Sequence, residues 1–127
     1  MDETQSAITQ KVITGAMKVH SQLGPGLLES AYLECLCYEL INAGLFVEKQ
    51  KPVPLIYETV KLECGYRLDL LVEHQVVVEV KSVEALADIH LAQVLTYLRL
   101  SNNKVGLLIN FNVLRLKEGL KRVLNGY

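Results

Sequence analysis

The sequence predicts one mixed α/β domain, with helices packed on a sheet of four strands. Two changes of hydrophobic period point to it. Apolar residues recur at helical spacing as far as about residue 44, give way to dense Val, Leu, Ile and Tyr up to residue 81, and return to helical spacing from about residue 83. The third observation is the run VGLLINFN at 105–112, continuously apolar as a strand buried on both faces is, and placed after a helical crossover.

The elements follow in order. Ile8, Val12, Ala16, Val19 and Leu23 give an amphipathic helix over about 4–22, ended by Gly24-Pro25-Gly26. A second helix begins at once with LLESAYLECLCYELINAG, carrying Leu28, Tyr32, Leu36 and Leu40 on one side and Gly44 as its C-terminal stop. Three strands in hairpin succession are expected at 45–57, 60–72 and 75–81, with Pro52 and Pro54 marking an edge or bulge in the first. A helix from about Val83 to Asn102 leads into the buried strand, and a final helix over about 114–124 closes the chain. The order α, α, β, β, β, α, β, α makes a mixed sheet whose fourth strand is reached by a helical crossover.

With 127 residues, half of them apolar, the chain fits a single domain spanning 1–127 with no linker. Its uncharged apolar stretches fall far short of the roughly 20 residues that cross a bilayer. The opening MDETQSAITQ is acidic and polar, unlike a secretory signal, so a soluble cytoplasmic protein is expected. Cys35, Cys37 and Cys64 form no metal-like spacing, and Cys35 and Cys37 would point about 200° apart on a helix; reduced thiols packed as small apolar groups are expected. Charge is uneven: residues 90–127 hold Arg99, Lys104, Arg115, Lys117, Lys121 and Arg122 against Glu118 alone, a net +5. That asymmetry fits a local polyanion track as well as a solvated helix face.

The chemistry lies in GYRLDLLVEHQVVVEVK at 65–81. Alternation puts Glu79 and Lys81 on one side of their strand, and a three-residue turn at 73–75 brings Asp69 opposite Glu79. Two carboxylates so close repel unless a proton or cation lies between them, and hard oxygen ligands suit Mg²⁺ or Mn²⁺. Taken alone, Glu79 and Lys81 also fit an ion pair on the rim of an edge strand. Glu29 stands in the first turn of the second helix with Tyr32 on its face, a position that equally favours the helix dipole. His90, Gln93 and Tyr97 form an uncharged polar stripe on an otherwise apolar helix, either a lining for something polar or a set of satisfied boundary residues. Asn110 and Asn112 end the last strand with amides suited to turn chemistry.

In this order, Glu29, Asp69, Glu79-Val80-Lys81 and Gln93 resemble the PD-(D/E)xK phosphodiesterase superfamily. GLLESAY, with Gly26, Glu29 and Tyr32, together with EVK, HLAQVLTYL and GLLINFN, is similar more narrowly to its GxxExxY family, over about residues 6–125. Leu68 stands where the superfamily's name has proline. The resemblance implies a restriction-endonuclease-like αβββαβ core with extra N- and C-terminal helices. It also implies a divalent metal held by Asp69, Glu79 and the Val80 carbonyl, with Glu29 as a metal or water ligand. Lys81 would orient or deprotonate the attacking water, Gln93 would position the phosphate or Lys81, and Tyr32, His90 and Tyr97 would support them.

The expected function is metal-dependent hydrolysis of nucleic acid, DNA before RNA, with the six basic residues of the C-terminal third as a phosphate track. The alternative is a non-catalytic module that keeps the fold and binds nucleic acid or protein. The first helix, outside the nuclease core, has enough apolar residues to pack on a second copy, so a homodimer is also an expectation.

Overall fold

The computed structural model describes residues 1–126 and, within them, every side chain except that of Cys64. The chain forms α1 (Glu3–Leu23), α2 (Glu29–Asn42), β1 (Val47–Tyr57), β2 (Val60–Val72), β3 (Val76–Lys81), α3 (Asp88–Ser101), β4 (Val105–Asn110), a 3-10 turn (Leu116–Gly119) and β5 (Leu120–Leu124). The five strands lie in chain order, all neighbours antiparallel except the parallel pair β3 and β4 that α3 connects.

Alternation along β3 and β4 sorts their side chains between two helical layers. Val76, Val78, Val80, Val105, Leu107 and Ile109 pack with α1 and α2, whereas Val77 and Leu108 pack with Val94 and Leu98 of α3. Gly106 permits the second contact, because a Cβ there would lie 2.9 Å from Val94 Cγ1. Every residue of β4 is buried, as its continuous apolar run requires. Pro54 sits where the register between β1 and β2 shifts, on an edge strand.

Four expectations are corrected. The segment 114–124 is not a helix but the 3-10 turn followed by β5, so the sheet has five strands rather than four. Gly119 weakens a helix there, and its backbone passes so close to the Asn110 carbonyl that a Cβ would collide with it. The third helix starts at Asp88 rather than near Val83, because the Asn110 amide engages the Val83 backbone: Oδ1 accepts from its N–H and Nδ2 donates to its carbonyl, both at 3.0 Å. The apolar stripe of α1 does not face outward, since Ile8, Val12, Ala16 and Val19 are buried in the chain's own core. Finally, β3 is an interior strand with Glu79 only 3% exposed, which excludes a rim ion pair in water.

Cys35 is half-buried and Cys37 buried, both as free thiols; the expectation for the Cys64 thiol lies outside the described residues. Among the described residues no helix is long and apolar enough to cross a membrane.

Candidate active site

The site lies where β2 and β3 part. Their ladder holds three pairs, Val72↔Val76, Leu71↔Val77 and Leu70↔Val78. A turn with Glu73 and His74 at positive φ, closed by Gln75 N–H on the Val72 carbonyl at 3.0 Å, sets that register. The next positions are Asp69 and Glu79, and there side chains replace the backbone ladder. The Asp69 N–H donates to Glu79 Oε2 at 2.8 Å, and the Val80 N–H donates to Asp69 Oδ2 at 2.8 Å. Each carboxylate thus takes a main-chain N–H from the opposite strand. Because N–H and C=O of one extended residue lie along the same strand edge, the Val80 carbonyl is also directed at this gap.

Both carboxyls are pushed toward their protonated forms. Burial raises Glu79 to about 8, with the Asp69 charge adding to it, and the Asp69 N–H and Lys81 oppose the shift. Burial likewise raises Asp69, against the Val80 hydrogen bond; Glu29 adds to the rise and Lys81 lowers it. Glu29, exposed in the first turn of α2, is therefore within electrostatic reach of both. Lys81, half-buried at the end of β3, reaches both as well.

From the α3 side, Tyr97 feels the charge of Glu79 and Asp69, which together with burial, the larger cause, raise its pKa. Its ring stacks on Tyr66 at 4.6 Å between centroids. Tyr66 carries no helical periodicity and was legible only as a strand aromatic; its hydroxyl is buried without a hydrogen-bond partner and is pushed up to about 12, by burial first. Gln93 and His90 line one pocket with Lys81. Tyr32 does not reach the carboxylates. It is fully buried, stacked on Phe111 at 4.6 Å, and its hydroxyl donates to the Gly24 carbonyl and accepts from the Leu27 N–H, bracing the turn that precedes Glu29.

The basic residues do not form one track. Arg115 and Lys117 follow β4 and lie toward the site's end of the sheet, while Arg99 and Lys104 sit at the other end, a β4 length of roughly 17 Å away. Lys121 and Arg122 lie along β5, separated from the gap by β4 and β3.

The buried Glu79 carboxylate, the half-buried Asp69 carboxylate and the Val80 carbonyl are hard oxygen donors, and a proton or a divalent cation between the carboxylates relieves their mutual repulsion. Among the described residues no three His, Cys, Asp or Glu side chains converge as a ready-made cluster. That donor count fits Mg²⁺ and Mn²⁺, which bind through one or two carboxylates and keep waters and substrate oxygens in their shell.

No curated protein and no solved structure matches the chain. A family model does, the PD-(D/E)XK nuclease superfamily, over residues 6–123, a span that holds the β2–β3 fork, Lys81, Gln93 and Glu29. On that match over nearly its whole length, and on a mixed sheet flanked by helices with its acidic pair in the fork, the chain belongs to the PD-(D/E)XK nuclease superfamily.

Proposed function

We propose that the protein is a metal-dependent nuclease that hydrolyses phosphodiester bonds in DNA, with Mg²⁺ or Mn²⁺ as its ion and the cytoplasm as its location. One observation carries this reading: the reciprocal capture of Asp69 and Glu79 by main-chain N–H groups in the opened β2–β3 ladder. That geometry holds two carboxyl groups together against their mutual repulsion and the cost of burial.

In this reading Asp69, Glu79 and the Val80 carbonyl hold the ion, and Glu29 at the mouth holds a water. Held by these residues, a divalent ion would supply Lewis-acid polarisation of the phosphoryl oxygen and a more acidic water. Lys81 orients the attacking water and offsets negative charge gathering on the phosphate, as a compact ammonium does well. Gln93 donates a hydrogen bond to the phosphate and fixes its angle to the attack. Arg115 and Lys117, at the same end of the sheet, extend the contact to neighbouring phosphates.

The test is cleavage of labelled single-stranded, duplex and branched DNA and RNA, with Mn²⁺ and with chelator, comparing wild type and Glu79→Ala. Metal-dependent cutting that Glu79→Ala abolishes is the expected result, and the panel names the substrate. Binding without cutting by both proteins would establish the non-catalytic module instead.

A further inference from the structure

Beside the carboxylates lies an open pocket of about 480 Å³, walled by Lys81, Ile89, His90, Ala92, Gln93 and Thr96. Its size is that of a small-ligand site. None of these residues is acidic, whereas the neighbouring gap is lined by carboxylates, so one Lys81 ammonium separates two spaces of opposite character.

The state of His90 is fixed by its cap. Its Nδ1 accepts the Ala87 N–H at 2.9 Å, ahead of the first turn of α3. A ring nitrogen that accepts carries no proton, so the proton of the ring resides on Nε2, which is left as a donor. The residues that wall the pocket thus carry an ammonium, an imidazole N–H, an amide and a hydroxyl, beside apolar Ile89 and Ala92. Donors of this kind suit a phosphodiester oxygen, and an apolar wall suits a sugar.

We propose that this pocket is the subsite for the phosphate next to the scissile one, and that His90 and Thr96 are its positioning residues. The proposal rests on the nuclease reading. A strand held there and at the Asp69–Glu79 gap has two consecutive phosphates fixed on either side of Lys81, which sets the direction in which the strand crosses the site.

The test separates capping from phosphate binding. Glu and Gln are the usual residues that reach back to an N-cap N–H from this helix position, so His90→Glu and His90→Gln both preserve the start of α3. Steady-state cleavage by wild type, His90→Gln, His90→Glu and Thr96→Val is measured with Mn²⁺ beside thermal melts. His90→Glu is expected to raise KM about tenfold with kcat little changed, and Thr96→Val about threefold, while His90→Gln stays near wild type. A substrate with one uncharged methylphosphonate beside the scissile phosphate should raise the KM of wild type and affect His90→Glu less, because in that variant the lost attraction to Lys81 is offset by lost repulsion from the new carboxylate. Active enzymes with equal KM for all four proteins, or equal sensitivity to the methylphosphonate, would overturn the subsite and leave the nuclease standing. A wild type that neither binds nor cuts any substrate would overturn both. Should His90→Glu unfold, Thr96→Val, which does not touch the cap, decides between the same outcomes.

Discussion

The two edges of β3 treat the same residues differently. Toward β4 the register is unbroken from Val76 to Lys81, and the Phe111 N–H extends it by donating to the Lys81 carbonyl at 3.0 Å. Toward β2 only three pairs form before carboxylates take over. One edge fixes Glu79 and Lys81 in space, and the other leaves a gap where their charges act. Rigidity and reactivity are thus supplied by separate neighbours of a single strand, which is how charged groups remain placed without the backbone bonds that usually place them.

Glu79→Gln divides the edges most sharply. Its amide oxygen still accepts the Asp69 N–H, but the charge is gone. Cleavage should fall by about 10³-fold or more, near 4 kcal/mol of barrier, while metal-free stability rises by roughly 1–3 kcal/mol. Cleavage rates beside metal-free melts read both quantities; a loss of stability would assign the carboxylate to the scaffold.

On the closed side, Gly119→Ala forces a Cβ into the Asn110 carbonyl and should cost about 3 kcal/mol by lifting β5 off β4. Urea midpoints measure it, and a change below about 1 kcal/mol would mean that β5 is not what secures that edge.

The open edge should also make stability depend on pH. Between 4.5, the ordinary value, and about 8, folded Glu79 keeps a proton that the unfolded chain has released. Folding is therefore favoured fully below the lower value, and that contribution is lost progressively as pH rises through the upper one in metal-free buffer. Melts from pH 5 to 8 should show a falling midpoint that Glu79→Gln flattens and saturating Mg²⁺ opposes. An unchanged slope in Glu79→Gln would place the titration elsewhere.

The smallest effect expected is that of Tyr32→Phe, which keeps the stack on Phe111 but loses the bonds to Gly24 and Leu27, about 1 kcal/mol by thermal melt. If it instead removed cleavage with stability intact, Tyr32 would belong to the open edge after all.

Much of the fork was legible in sequence because it depends on local arithmetic. A turn at 73–75 and a side-chain period of two set Asp69 against Glu79, and both survive in the fold. What failed depended on distant partners. Val113, Leu116, Leu120 and Val123 fit a helical period, and nothing local reveals that Gly119 must slide past Asn110. The late start of α3 was hidden for the same reason, since the Asn110 amide that engages Val83 is 27 positions away. Charge counting found six cations but not their directions, which only the antiparallel return of β5 and the length of α3 determine. The stripe on α1 was read correctly as apolar; whether its partner was a second chain or its own sheet is a tertiary matter.

The fork also has a consequence for the order of events in folding. Asp69 and Glu79 meet across a short hairpin, whereas the β3–β4 ladder must wait for the whole of α3 to cross over. In a half-formed chain the hairpin can therefore exist with both carboxylates still wet, and Glu79 becomes dry only when the rest of the chain packs around it. With that desolvation placed after the rate-limiting step, stopped-flow kinetics of Glu79→Gln should show slower unfolding at an unchanged folding rate, and a faster folding rate would place it before. The residue that makes the molecule reactive would thus shorten the lifetime of its native state without delaying its formation.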